Sequence, residues 1–323
     1  HCHNRSYVNH LLNRLGFLGR LPKHERRIAR TCQLVQAQTC REIAALRICR
    51  SAGIPYAGLT TGSDLSEVAL GHSRFSDLYR QSLSGASHIF LVNSNQVDIV
   101  ERLPFELVSW SYLPLRIDLE SIVSTPVPAR RRLRIYSMAR LDWTSSRTSI
   151  KANDVFLRGY ARYVRQHGEN DFEVLVRDWG VDRAATRALV SDLGIADAVQ
   201  FVPAKSRADF LPDVADSDIV VDQFGLGTVG LAALEAMAVG RPVIAFCNQD
   251  WARRAYGEEV PVVNCADEAE VCEQLKRLNP AFVKEQGRLS NAWVRKYHSD
   301  DRIFGLMHSA YMRILGRPAA TTL

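Results

Sequence analysis

The sequence predicts an α/β protein made of two doubly wound domains, each a parallel sheet flanked by helices. Three observations lead there. At 323 residues the chain is long for one hydrophobic core, so two domains are the better expectation. Beyond residue 132, short β-branched runs alternate with stretches of helical periodicity, the pattern of a parallel sheet. Between 218 and 246 a strand exit, a glycine turn and a helix start follow one another within about twenty residues.

The first domain is placed at 1–127. Gln33–Ala37, Tyr56–Thr60 and His88–Val92 read as buried strands, with helices over Arg41–Ala52 and Phe75–Gly85 between them. Ahead of them, Arg5, Arg14, Arg20, Lys23, Arg26, Arg27 and Arg30 face only Glu25, while Val8, Leu11, Leu12, Leu15 and Leu18 recur at helical spacing. Such a basic amphipathic helix either lies peripherally on an anionic membrane or packs on the domain with its arginines solvated.

A Pro-rich, basic stretch over 121–132, containing Ser-Thr-Pro-Val-Pro-Ala-Arg-Arg-Arg, marks the joint between domains. The second domain, 128–300, then runs strand Leu133–Met138, helix Asp154–His167, strand Phe172–Val176, helix Asp182–Leu193 and strand Val199–Val202. It continues with helix Arg207–Ala215, strand Ile219–Val221, helix Gly230–Ala238, strands Pro242–Phe246 and Val260–Val263, and helix Glu268–Leu278. A tail helix in 301–323, from Ile303 to Leu315, is capped by Ser299, Asp300 and Asp301.

Composition excludes several classes. Hydrophobic residues make up 46% and charged residues 24%, ordinary for a globular protein. No apolar run approaches the roughly 20 residues that span a bilayer, and the start lacks the form of a secretory signal. Seven cysteines, odd in number and without metal-ligand spacing, favour reduced thiols and a cytoplasmic setting. A net charge of +6 invites anionic partners, but no nucleic-acid motif accompanies it. Asp216-Ser217-Asp218 has the form of a metal-binding Asp-x-Asp, yet it precedes a strand and so belongs to the wrong end of the sheet. No essential metal or cofactor is expected.

The chemistry concentrates in Asp222–Pro242. Gly225, Gly227 and Gly230 follow a strand and permit close backbone approach. Leu231, Leu234, Met237 and Ala238 then recur at helical spacing, so a helix starts near Gly230 with free N–H groups that attract anions. Glu235, about a turn and a half inside, is placed to accept hydrogen bonds from a ribose diol. The spacing Gly225-x-Gly227-x-x-Gly230 also fits a dinucleotide fingerprint, which keeps a nicotinamide-dependent oxidoreductase as an alternative.

In Glu235-Ala-Met-Ala-Val-Gly-Arg-Pro-Val-Ile244 the chain resembles the retaining GT-B glycosyltransferases of the group 1 (family 4) type. That resemblance implies two Rossmann-like domains facing a cleft, a nucleoside-diphosphate sugar as donor, and transfer of a hexose to a glycan, lipid-linked or small-molecule acceptor. It implies that Arg140 and Lys151 clamp the diphosphate, that Gly230 and Leu231 add their amides, and that the backbone at Val202 and Pro203 meets the base. Fixed cations of this kind stabilise the charge that develops on the departing diphosphate. Among these donor-side positions the sequence departs from the family at three residues. Gly227 stands where members carry a Glu that meets the donor sugar, which leaves Asp222 or Gln223 as substitutes. Ala139 and Ala152 replace glycines beside the two bases.

In the first domain, Thr61-Gly-Ser-Asp64-Leu65 resembles a family turn, so Asp64 is either an acceptor-side group, binding or deprotonating its hydroxyl, or a helix N-cap. The loop 143–150 is longer than the family spacing and reads equally as part of the donor pocket or as a surface insertion. The family's opening glycine-rich strand-turn-helix has no counterpart here, so the first domain is expected to be incomplete. Together with Gly227, that keeps a catalytically impaired nucleotide-binding protein as the rival reading.

Overall fold

The computed structural model describes residues 31–37, 43–61, 64–145, 150–167 and 171–317. The basic amphipathic segment of the first thirty residues lies outside them. Contacts divide the chain into a unit of residues up to 115 together with 301 onward, and a unit of 116–300.

The first unit is a four-stranded parallel sheet in the order β1 (Val35–Ala37), β2 (Tyr56–Thr60), β3 (His88–Leu91), β4 (Trp110–Tyr112). Helices α1 (Ile43–Ser51), α2 (Arg74–Ser84) and the short α3 (Asn95–Val100) connect them, with one π-helical turn over Asp64–Ala69. Helix α2 starts where Ser73 accepts a hydrogen bond from the Ser76 N–H, satisfying a donor that the first turn leaves open. The tail helix α11 (Asp300–Ile314) brings Ile303 and Ala310 against Ala57, Phe90 and Leu113 of this sheet.

The second unit is a six-stranded parallel sheet, ordered β10-β9-β8-β5-β6-β7. Its strands are β5 (Leu133–Ser137), β6 (Phe172–Asp178), β7 (Val199–Pro203), β8 (Ile219–Val221), β9 (Val243–Ala245) and β10 (Val263–Asn264). Helices α4 (Asp154–His167), α5 (Arg183–Asp192), α6 (Arg207–Ala215), α7 (Leu231–Val239), α8 (Gln249–Tyr256), α9 (Glu268–Arg277) and α10 (Pro280–His298) complete it. Every residue of β8 and β9 is buried, as strands covered on both faces must be.

Strand order reverses at β5, which pairs with β6 on one side and with β8 on the other. That reversal is the switch point at which open α/β sheets bind ligands, outside the carboxyl ends of the strands. The opposite end is closed by ion pairs. Asp216 pairs with both Arg130 and Arg134, and Asp218 Oδ2 accepts from the Arg134 backbone N–H at 2.6 Å with the Arg130 guanidinium 3.8 Å away. Among the described residues, no helix is long and apolar enough to cross a membrane.

Two elements have no counterpart in the sequence expectations for the first unit: β4 and α3. Strand β4 matters because Ser109, just before it, and Ser111 within it hold the two ring nitrogens of buried His88, each at 2.9 Å. Burial, with a smaller contribution from Arg313, lowers the His88 pKa to about 4. An imidazole neutral when folded but titrating near 6.5 when unfolded gives stability that is complete above the unfolded value and lost as pH falls toward 4. Wild type is therefore expected to lose about 2 kcal/mol more than His88→Gln between pH 7 and pH 5. Urea midpoints at the two pH values check this, and equal losses would remove His88 from the account.

Candidate functional site

At the switch point three segments are tied together by backbone hydrogen bonds. The Asp142 carbonyl accepts from the N–H groups of Lys151 (2.7 Å) and Ala152 (3.2 Å), and the Lys151 carbonyl accepts from the Phe224 N–H (2.9 Å). Asn153 Oδ1 accepts from the Asp142 N–H at 3.1 Å. The loop after β5, the start of α4 and the loop after β8 thereby meet above the β5 and β8 ends.

Arg140 and Lys151 emerge from this knot. Arg140 donates to Asp142 Oδ2 at 2.7 Å and keeps 39% of its side chain exposed, while Asp142 is buried. Lys151 donates to Gln223 Oε1, and the Gln223 amide nitrogen donates to the Thr228 carbonyl at 2.7 Å. Burial holds the Lys151 ammonium below its ordinary value; Asp222 opposes the shift and Arg140 adds to it. Burial likewise pushes the Asp222 carboxyl up, against Lys151 and a hydrogen bond from the Gly230 N–H. Each charge has its counter-charge nearby, as a poorly hydrated pair requires.

Gly230 is the N-cap of α7 and Leu231 its first residue, 40% exposed. The Gly230 N–H is engaged by the Asp222 carboxylate and so is not open to a diphosphate, contrary to the expectation from the sequence; the N–H groups from Leu231 onward, at a helix start that Gly230 cannot cap with a side chain, can meet an anion. Glu235 lies on the second turn and is buried, in a helix otherwise lined by Ala233, Leu234, Met237 and Ala238. Val202 and Pro203 end β7 at the sheet edge, paired with Arg177 and Asp178 of β6. Asp64 opens the π-helical turn of the first unit. Arg140, Lys151, Asp222, Gln223 and Gly230 thus form one cluster, and Val202 and Pro203 end a strand two places from β5.

Two of the departures from the resembled pattern, Ala152 in place of Gly and Gly227 in place of Glu, sit in left-handed backbone. Ala152 has φ of 50°, a left-handed conformation that costs an L-residue about 1 kcal/mol and that the paired Asp142 carbonyl fixes. Gly227 has φ of 65°, and a Cβ there would stand 2.9 Å from Trp251 Cζ3 and 3.3 Å from Phe246 Cε1. The family's Glu has no room at this position.

Sequence reasoning did not single out Asp142, Asn153, Asp182 or Trp179. Asp182 precedes α5 without capping it; its carboxylate instead accepts from the N–H groups of Trp143 (2.6 Å) and Thr144 (2.9 Å) and from the Thr144 hydroxyl (2.6 Å). It pins the start of the long loop. Residues 146–149 of that loop are outside the described set. The one local signal was Trp179-Gly180 directly after a strand.

No family model matches the chain. Over 101 residues it is 40% identical to a D-inositol 3-phosphate glycosyltransferase of Rhodococcus jostii (strain RHA1), a match covering 30% of this chain and 22% of that protein. The counterpart from Mycobacterium sp. (strain KMS) is 36% identical over the same length and coverage. The match thus spans about a fifth of these relatives. Among solved structures, HepE from Anabaena in complex with UDP superposes with a TM-score of 0.68 at 14% identity, covering 89% of this chain and 80% of that one. Sucrose-phosphate synthase from Thermosynechococcus elongatus gives 0.63 at 14%, covering 93% and 81%.

Gly227→Glu, the change toward the resembled pattern, is expected to destabilise the protein by about 2 kcal/mol or more, from left-handed strain and overpacking together. Thermal unfolding checks it; an unchanged midpoint would show that Trp251 yields freely. With two parallel α/β sheets, a switch point at β5 and these structural neighbours, the chain has the GT-B fold of glycosyltransferases.

Proposed function

We propose that the protein is a retaining glycosyltransferase that moves a hexose from a nucleoside-diphosphate sugar to a glycan, lipid-linked or small-molecule acceptor in the cytoplasm. The observation that carries this is the convergence of Arg140 and Lys151 at the β5/β8 switch point, linked through Gln223 and Asp222 to the uncapped start of α7. Two cations and a helix N-terminus make a site for a diphosphate. The same groups stabilise the leaving diphosphate as the glycosidic bond breaks, the charge that a metal supplies elsewhere. HepE has been solved with UDP and with UDP-glucose, which makes uridine diphosphate the first donor nucleotide to test.

In this scheme Arg140 and Lys151 hold the diphosphate, and the Leu231 amide adds to it, the Gly230 N–H being engaged by Asp222. Glu235 takes the ribose hydroxyls, Val202 and Pro203 border the base, and Asp64 serves the acceptor side. With Gly227 offering no side chain, the sugar ring is left to Asp222 and Gln223. A second reading, a nucleotide-binding protein without transfer activity, is favoured by one observation: Trp251 and Phe246 fill the space a Glu at 227 would need. Hydrolysis or transfer of a bound UDP-sugar separates the two.

The Arg140→Ala, Lys151→Ala double variant should bind UDP at least tenfold more weakly, since charge-assisted hydrogen bonds contribute roughly 1.5 to 3 kcal/mol each. Calorimetry without added metal measures this, and unchanged affinity would reject the diphosphate assignment. For Glu235, the discriminating ligand is the 2'-deoxy nucleotide. Wild type should prefer UDP over dUDP, and Glu235→Gln should lose most of that preference while folding normally. Equal binding of the two nucleotides by wild type would take Glu235 out of the ribose site.

A further inference from the structure

The turn that follows β6 is locked onto the loop carrying Arg140. The Leu141 N–H donates to the Trp179 carbonyl at 2.8 Å, and the Asp182 N–H donates to the Leu141 carbonyl at 3.1 Å. Leu141 and Gly180 form a parallel bridge. Gly180 has φ of 124°, and a Cβ there would come within 2.3 Å of the Leu141 carbonyl oxygen, so only glycine allows this approach. The lock fixes the position of Trp179 one strand away from β5, in contact with the segment that bears Arg140.

The indole is then oriented by its own contacts. Its Nε1–H donates to the Met138 carbonyl, the last position before Ala139 and Arg140, at 3.3 Å. The Arg177 guanidinium lies over the ring, 5.0 Å from its centroid, and is itself held by the Lys205 carbonyl and by the face of Phe210. With its one hydrogen-bond donor engaged and a cation over the ring, 37% of the residue still remains exposed at the ligand end of the sheet. A large, rigid aromatic surface is thereby held open to a ligand at that end of the sheet.

We infer that Trp179 is a stacking platform for the nucleoside base, and hence that the site selects an aromatic nucleotide rather than a bare diphosphate or sugar phosphate. This rests on the diphosphate assignment of Arg140 and Lys151. From those cations the sheet extends outward through the ends of β6 and β7, and Trp179 lies on that course directly after β6, ahead of Val202 and Pro203. Stacking tolerates any base because every base has a π-face. Trp179 therefore supplies affinity for the base as a class and leaves the choice among bases to hydrogen bonds beyond it. Arg177, by pairing with the ring, is a positioning residue.

The test compares UDP with inorganic pyrophosphate, which has the anion and no base, by calorimetry on wild type, Trp179→Ala and Trp179→Phe. Trp179→Ala is expected to bind UDP about tenfold more weakly and pyrophosphate as wild type does, while Trp179→Phe retains most of the UDP affinity. UDP should also quench wild-type tryptophan fluorescence, and that signal should be largely absent in Trp179→Phe. Unchanged UDP affinity in Trp179→Ala overturns the stacking role. So does an equal loss of UDP and pyrophosphate, which would show that the ring only props up the Arg140 loop. If wild type binds none of UDP, GDP and ADP, the donor-site reading falls and this inference falls with it.

Discussion

Holding the Lys151 ammonium away from water, at the ends of β5 and β8, is the constraint on which the ligand end of the second unit depends. An ammonium that loses solvent must find acceptors. Gln223 supplies one, and its amide can turn only one way, because its nitrogen is committed to the Thr228 carbonyl. Asp222 supplies the balancing charge from a buried position that would be costly without Lys151 and the Gly230 N–H. The Asp-Gln pair at the end of β8 is thus a matched set: one residue neutralises the lysine and the other orients it.

The set is precise only if α7 cannot slide, and its far end shows why it does not. Gly240 closes the helix in a left-handed conformation, with the Gly240 and Arg241 N–H groups returning to Met237 and Ala236. Arg241 is fully buried, and its guanidinium donates to the Thr125 carbonyl and hydroxyl, the Pro126 carbonyl and the Ala215 carbonyl. Planar geometry with several donors suits arginine to such a node in a way lysine could not match. Thr125 in turn donates its N–H to Val239. The Pro-rich stretch read as a linker is, at Thr125 and Pro126, a strap across the end of α7.

What was legible in the sequence follows from the range of the forces involved. Tyr56–Thr60, Asp154–His167, Arg207–Ala215 and Ile219–Val221 were readable because apolar periodicity and flanking turns are local signals. Strand β4, three residues of Trp-Ser-Tyr, is too short to show alternation. Helix α10 was missed although Asn279 caps it and Pro280 occupies its first turn; its many charged residues blur the apolar stripe. In the site, Arg140, Lys151, Asp222 and Gln223 were legible as motif positions. Asp182 and Trp179 were not, because their roles arise from contacts such as Trp179 to Met138 that cross about forty residues of chain.

Two departures from the resembled pattern share one backbone conformation. Ala152 takes a left-handed conformation of the kind glycine adopts freely, held by the Asp142 carbonyl at about 1 kcal/mol of strain. At Gly227 the backbone is likewise left-handed, and Trp251 and Phe246 stand against its α-carbon. In the proposed scheme, a donor sugar meets the Asp222 carboxylate and the second lone pair of Gln223 Oε1, both drawn into the pairing with Lys151. A sugar that engages them must loosen the same contacts that orient the lysine. Under that proposal donor-sugar binding and diphosphate binding are coupled through one cluster of three side chains, in which Lys151 is the shared partner.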